Sequence, residues 1–176
     1  MNIPAIIYQT STRWLVVYKP IGWSLGKRGS GASVQAFLGP LLSRESSIYF
    51  PFELDSRIAG LGVVCTDRGM QSQFERFKIR SELEFRYSIL IKSGSRDSSF
   101  PPNYSVEYSE TESLSPLLMV RAPQIIPVRR LGEFMKSEIE AENVRLYSIS
   151  FPDPLKPVHD ELSISIAPVP PEGWGP

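Results

Sequence analysis

The segment Phe52-Glu53-Leu54-Asp55-Ser56-Arg57-Ile58-Ala59-Gly60-Leu61-Gly62-Val63-Val64 decides how this chain is interpreted. It places one carboxylate, Asp55, shortly before an apolar run from Leu61 to Cys65 that predicts a buried strand. An acidic residue at such a junction serves either as a turn residue or as a chemical group presented where a strand begins. The segment alone leaves both interpretations open.

Length and composition limit the class of protein. A chain of 176 residues with 41% apolar content predicts one globular domain spanning residues 1–176. No apolar run reaches the roughly 18 residues of a membrane span, so no membrane partner is expected. The single cysteine, Cys65, and the single histidine, His159, exclude an intrachain disulfide and leave few ligands for zinc. The chain shows no metal or nucleotide motif, and we expect no cofactor.

The charge pattern bears on partners and compartment. The 19 basic residues balance the 19 acidic ones, which argues against strong nonspecific nucleic-acid binding but allows a local basic patch. Basic residues dominate before Asp55, whereas the chain after residue 130 is more acidic. The start lacks a charged n-region or an Arg-rich presequence. Cys65 lies in an apolar run, which indicates an unpaired core cysteine of a reducing compartment. We therefore expect an intracellular protein, with the cytoplasm favoured and the mitochondrion as the alternative.

Hydrophobic periodicity predicts an α+β fold with a mixed, mostly antiparallel sheet and a few helices. The predicted strands are 6–8, 14–18, 61–65, 81–91, 104–108, 117–121, 144–151 and 162–166. The predicted helices are 34–42 after a Ser33 cap, a helix ending near Arg80 after a Thr66 or Asp67 cap, and 133–142. Residues 93–115 are expected to be rich in loops, and 167–176 form a proline-rich tail.

Four segments carry a resemblance to a known family. They are Ile7-Tyr8 with Trp14-Leu15-Val16-Val17-Tyr18-Lys19-Pro20-Ile21-Gly22, then Phe52–Leu61, then Glu84–Ile91, and finally Arg145–Pro154 with Ile166–Pro170. In this order they resemble the catalytic domain of the RluA/RsuA-type pseudouridine synthases. The corresponding family patterns are L-L-V-V-N-K-P-A-G, H-R-L-D, K-x-Y-x-A-L-V and a closing F-x-H-P with A-P-L-P. The resemblance covers nearly the whole chain and implies a pseudouridine-synthase-like fold, without the additional RNA-binding domain of many relatives.

The chain departs from the family pattern near the aspartate. Glu53 stands where the family has a basic residue, and Ile58-Ala59 replaces the usual Thr-Ser. Phe85 stands where a lysine is common. The best counterpart of the later H-Q-I-R motif is Pro127–Leu131, which retains the final arginine as Arg130.

The resemblance implies roles for particular residues and a partner. Asp55 would act as nucleophile or base at the ribose, Tyr87 would stack under the target uracil, and Arg130 would pair with Asp55. These groups are expected to converge on one cleft. The residues expected to bind RNA are Lys19, Lys27, Arg28, Arg57 and Arg86. The implied activity is the isomerisation of uridine to pseudouridine in rRNA or tRNA by a monomer without a cofactor.

Other interpretations of the same residues stay open. Asp55 also fits a turn residue, Tyr87 a core aromatic and Arg130 a solvated surface charge. Because Glu53 would repel phosphate, a second hypothesis is a catalytically inactive pseudouridine-synthase-like fold that acts as a structural or assembly component of an RNA–protein particle. A third is a protein-binding module that uses the tail 167–176.

Overall fold

The computed structural model describes residues 3–26, 31–42, 47–91, 98–109, 117–136, 139–156 and 161–168. Within these ranges eight strands form one sheet: β1 (Ala5–Tyr8), β2 (Trp14–Lys19), β3 (Ala59–Cys65), β4 (Glu84–Leu90), β5 (Ser105–Ser109), β6 (Leu117–Ala122), β7 (Val144–Pro152) and β8 (Glu161–Ser165). The helices are α1 (Val34–Leu42), α2 (Arg68–Ile79), α3 (Val128–Met135) and a short 3-10 helix (Ala141–Asn143). The predicted α+β fold is confirmed.

The sheet is mixed and mostly antiparallel, as predicted. Its order is β1-β2-β3-β7-β4-β6-β5, and β8 pairs with β7 beside this path. The pairing of β3 with β7 is parallel, whereas the other strand pairs are antiparallel. The parallel pairing of β3 with β7 aligns Gly60 with Leu146, and Leu146 also pairs with Tyr87 on β4. The Asp55 segment therefore enters the sheet at a row that also contains Tyr87.

Aromatic packing fixes α2 against the sheet. Met70, Phe74 and Phe77 recur at helical spacing and are buried. The ring of Phe74 lies 6.1 Å from Trp14 and 5.1 Å from Phe151, both in edge-to-face geometry. Such contacts contribute about 0.5–1.5 kcal/mol each beyond the area that they bury. They join α2 to β2 and β7, the two strands that flank β3 in the sheet.

Two predicted helix caps are confirmed. The Ser33 hydroxyl accepts a hydrogen bond from the Ala36 amide at 3.1 Å, and the Asp67 carboxylate accepts one from the Met70 amide at 2.8 Å. Each cap satisfies one of the backbone amides that a helix start leaves without an intrahelical partner. The two caps explain why α1 and α2 begin where the sequence pattern places them.

The helix predicted over 133–142 is wrong in position. The structure forms α3 from Val128 to Met135 and ends it at Lys136, whose φ of 55° is left-handed. Val128, Leu131 and Phe134 lie three residues apart and pack against the core, so the apolar face begins earlier than predicted. This shift brings the start of α3, after Pro127, beside the Asp55 segment.

Some predicted regions are described only in part. The segment 93–115 is described from residue 98 to 109, where β5 lies close to the strand predicted at 104–108. The tail 167–176 is described through residue 168. Lys27 and Arg28 lie outside the described residues. No helix in the described ranges is long and apolar enough to cross a membrane.

Candidate functional site

Asp55 lies in a tight turn that its own side chain closes. Its carboxylate accepts a hydrogen bond from the backbone amide of Arg57 at 2.8 Å, and its carbonyl accepts one from Ile58 at 3.0 Å. An aspartate that binds the amide two residues later forms an Asx turn. The carbonyl of Ser56 accepts a further bond from the Gly22 amide at 2.8 Å. The turn is thereby joined to the Pro20–Gly22 segment that ends β2.

The Arg57 guanidinium binds both oxygens of the Asp55 carboxylate. Its Nε donates to Oδ1 at 3.0 Å and its Nη2 to Oδ2 at 2.9 Å. Bidentate pairs of this kind combine charge with fixed geometry. The hydrogen bonds from Arg57 lower the pKa of Asp55, partial burial opposes that change, and Lys19 adds a smaller lowering. Asp55 is therefore a carboxylate at neutral pH, oriented by its partner.

Lys19 lies beneath this turn. Its side chain is fully buried, and Nζ donates to the carbonyl of Pro20 at 3.1 Å and to that of Ser56 at 3.4 Å. Burial lowers the pKa of Lys19 to about 7, an effect that the charge of Asp55 partly offsets. Because the amine has no exposed surface, the structure does not show the predicted contact of Lys19 with RNA. Lys19 instead supports the turn that carries Asp55.

The buried amine predicts a pH dependence of stability. An unfolded lysine has a pKa of about 10.5 and keeps its proton at neutral and mildly alkaline pH, whereas folded Lys19, with a pKa of about 7, has lost half of its protonation near pH 7. The unfolded state then binds more protons, so the free energy of unfolding should rise with pH above 7, by roughly 1 kcal/mol per pH unit. Urea titrations between about pH 7 and 8.5 measure this slope. The upper limit avoids Cys65 and Tyr87, whose pKa values are raised by burial and whose contributions have the opposite sign.

The matched variant for this prediction is Lys19→Met, which keeps the volume of the side chain but does not titrate. Its free energy of unfolding should show a smaller slope with pH than the wild type, whatever its absolute stability. Equal slopes in the two proteins would contradict the assignment of a lowered pKa to Lys19.

A cleft of about 660 Å³ opens beside the Asp55 turn. We call it the Asp55 cleft. Three segments line it: residues 53–57, residues 125–127 before α3, and the group Gly22, Ser24, Leu25, Gly26, Gly31 and Ala32. Ligand sites of this size, mostly apolar with a few placed polar groups, commonly hold small molecules. The cleft is large enough for one nucleotide, and the charged groups among its described lining residues are Glu53, Asp55 and Arg57.

Tyr87 supports the wall of this cleft from behind. The side chain is fully buried, and its hydroxyl accepts a hydrogen bond from the backbone amide of Ile126 at 3.0 Å. Burial raises the pKa of Tyr87 well above its ordinary value, so the hydroxyl is neutral. A ring without exposed surface cannot stack on a base in this conformation, so the structure does not show the predicted stacking. Tyr87 fixes the position of Ile126, which lines the cleft.

The predicted pairing of Arg130 with Asp55 is also corrected. Arg130 lies in the first turn of α3 and pairs with Glu133 one turn later, at 3.1 Å on the surface. The partner of Asp55 is Arg57, for which the sequence predicted only a contact with RNA. The spacing of two residues, typical of an Asx turn, was the signal that could have identified it.

Arg86 does not belong to the Asp55 cleft. Phe85 and Tyr87 point to the side of the sheet where Phe52 and Ile126 lie, and Arg86 alternates with them on the strand. On the other face its Nε pairs with Glu84 at 2.9 Å. The structure thus brings Asp55 and Arg57 together above Lys19. Tyr87 contacts Ile126 in the wall of the cleft, and Arg86 lies on the opposite face of the sheet. Among the described residues no cluster of His, Cys, Asp or Glu could hold a metal ion.

Comparisons with known proteins give the fold a context. No protein-family model matches the chain, and no curated protein matches it in sequence. Among solved structures, human RNA Pseudouridylate Synthase Domain Containing 4 is similar with a TM-score of 0.62 and 12% identity, over 94% of this chain and 88% of that chain. Human RNA Pseudouridylate Synthase Domain Containing 1 gives a TM-score of 0.60 and 12% identity, over 94% and 84%. A structure described as a pseudouridylate synthase gives 0.54 and 11%, over 87% and 70%. At these identities the likeness concerns the fold, and the chain has the fold of pseudouridylate synthase domains.

Proposed function

We propose that this chain is an RNA pseudouridine synthase that isomerises uridine in structured RNA, either rRNA or tRNA. The observation that supports this most is the Asp55 carboxylate, held by Arg57 in a cleft of nucleotide size, in a chain with this fold. The charge balance of the chain implies that it finds its substrate by shape and local contacts more than by a strongly basic surface.

The reaction needs few groups from the protein. The bond between N1 of uracil and C1′ of ribose breaks, the base rotates, and C5 bonds to C1′ while the hydrogen on C5 leaves as a proton. N1 gains a proton, so the net change is an isomerisation. Asp55 acts at the sugar, as nucleophile or as base, because an ionised carboxylate can trap or stabilise a cationic centre. The target uridine leaves its helix or loop to enter the cleft.

The neighbours of Asp55 act through position and charge. Arg57 keeps the carboxylate ionised, and its exposed side chain can turn toward an RNA phosphate once a substrate engages Asp55. Lys19 fixes the turn through Ser56, and Tyr87 fixes the cleft wall through Ile126. Lys27 and Arg28 follow Gly26, a cleft residue, in the sequence and remain proposed contacts to phosphate.

Tritium release tests the proposal directly. RNA transcribed with uridine labelled at C5 loses tritium to water when C5 bonds to ribose, so an active enzyme releases label in proportion to pseudouridine formed. We expect release above the level of the Asp55→Ala protein on unmodified rRNA or tRNA transcripts. Equal release by the two proteins on both classes of RNA would overturn the proposal.

One observation favours a second candidate function. Glu53 lines the same cleft as Asp55 and is exposed there, so a phosphate that enters meets a second negative charge. An inactive fold that serves as a structural component of an RNA–protein particle would tolerate this charge. Such a protein would release no tritium and would co-sediment with RNA–protein particles. If the chain is instead an enzyme in which Glu53 only restricts the choice of substrate, the Glu53→Gln variant should release tritium faster than the wild type.

A further inference from the structure

A second cavity shares part of its wall with the Asp55 cleft. It has a volume of about 590 Å³ and shares Ile125, Ile126 and Pro127 with the Asp55 cleft. This short segment therefore lines both spaces, which makes them neighbours. Neighbouring spaces suit neighbouring nucleotides of one RNA strand.

Aromatic side chains form one side of this cavity, which we call the aromatic cavity. Tyr104 and Phe134 line it, with ring centroids 5.8 Å apart in edge-to-face geometry. Phe100 packs against both, at 6.3 Å from Tyr104 and 5.3 Å from Phe134. Because the three rings pack against one another, Tyr104 and Phe134 are held in place beside the cavity. Fixed aromatic faces are the common surface on which proteins stack single-stranded bases.

The polar groups of the aromatic cavity suit the rest of a nucleotide. Gln124 donates from Nε2 to the Tyr104 hydroxyl at 3.3 Å and is exposed, as is the nearby amide of Asn103. Arg130 lines the same cavity, and its pair with Glu133 is solvent-exposed at both ends. Exposed pairs of this kind contribute little to stability, so Arg130 can exchange Glu133 for a phosphate at small cost. The cavity thus combines a stacking surface, amides for base edges and one cation.

We propose that the aromatic cavity binds the nucleotide adjacent to the target uridine in single-stranded RNA, with its base on Tyr104 and Phe134 and its phosphate at Arg130. This inference rests on the proposed function, because it takes the Asp55 cleft as the site of the target base. It gives Arg130 a role in substrate binding instead of a pairing with Asp55. It also makes the base next to the uridine a determinant of which RNA is bound.

The test measures the dissociation constants of a fluorescent nine-nucleotide RNA with a central uridine, by anisotropy. We compare this RNA with two others that carry an abasic site directly before or directly after the uridine. Loss of the base on one side should weaken binding to the wild type about tenfold, as expected for one stacked base. In Tyr104→Ala the same abasic site should cost little, because the stacking surface is absent. Thermal unfolding of Tyr104→Ala shows whether the variant is folded.

Arg130 and Arg129 provide a matched pair that does not touch the core. Both are exposed on the first turn of α3, but Arg129 does not line the aromatic cavity. Arg130→Ala should weaken binding several-fold and reduce the dependence on salt by about one phosphate contact, whereas Arg129→Ala should change both less. Equal effects of the two variants, or an abasic site without effect on either side, would overturn the proposal.

The outcomes separate this inference from the proposed function. If the protein releases tritium but neither abasic site changes its affinity for RNA, the aromatic cavity is refuted as a subsite and the proposed function stands. Binding that depends on one neighbouring base and on Tyr104, without tritium release, would support the subsite in a protein that binds RNA without modifying it. Absence of binding to all three RNAs would refute the subsite, and tritium release would then decide the function alone.

Discussion

Replacing Asp55 with asparagine is expected to lower tritium release at least about 10³-fold, the scale of losses when a covalent catalytic group is removed. The side chain keeps its shape and can still accept the Arg57 amide proton, so the turn should persist. The amide can neither attack the sugar nor stabilise a positive charge on it, and the Arg57 guanidinium loses its ionic partner. The measurement is the single-turnover rate of tritium release with enzyme in excess.

Asp67 provides the control for Asp55. It is also an aspartate bound by an arginine, with Arg13 donating to its two oxygens at 2.8 and 3.2 Å. It caps α2 and does not line the Asp55 cleft. Asp67→Asn retains an acceptable cap and should release tritium at the wild-type rate. A comparable loss in both variants would indicate that a carboxylate–arginine pair stabilises the fold and that Asp55 has no chemical role.

Replacing Gly60 with alanine is expected to have the largest effect on stability, a loss of more than about 3 kcal/mol. Gly60 has a φ of +156°, which residues with a side chain rarely adopt. A Cβ there would lie 2.5 Å from the carbonyl oxygen and 2.9 Å from the amide nitrogen of Leu146. These are backbone atoms of the paired strand β7, so they cannot move aside as a flexible side chain would. The expected result is an unfolded or aggregated protein, measured by urea denaturation and circular dichroism.

Two other glycines complete this comparison. A Cβ at Gly31 would meet no heavy atom within 4 Å, so Gly31→Ala should leave the free energy of unfolding almost unchanged. A Cβ at Gly62 would lie 2.7 Å from a terminal carbon of Leu25, a flexible side chain, and the loss should be intermediate. The predicted order of stability is therefore Gly31→Ala, then Gly62→Ala, then Gly60→Ala. A Gly60→Ala protein as stable as Gly31→Ala would show that β3 does not approach β7 as closely as described.

The local rules of sequence reasoning predicted most elements because those elements depend on nearby residues. The caps at Ser33 and Asp67 are local signals, and the structure contains both. The third helix was misplaced because its apolar face begins at Val128, ahead of the predicted start at Glu133. Burial of Leu131 holds α3 on the core, and the left-handed residue Lys136 ends it. The burial depends on packing that residue spacing alone does not reveal.

The sequence by itself determined the α+β pattern, the order of the motifs and the position of Asp55 ahead of a buried strand. Only the tertiary structure decided the partners of that carboxylate. Arg57 was close in sequence, but its role required the turn to fold back on itself, and Lys19 reaches Ser56 only because β2 lies beside β3. Tyr87 and Arg130 were assigned to the site by resemblance, yet long-range packing buries the ring, and the helical conformation of α3 places the Arg130 guanidinium beside Glu133 one turn later. The physical reason is that burial depends on residues distant in sequence, and that a short-range ion pair forms only in a particular backbone conformation, which residue spacing alone does not fix.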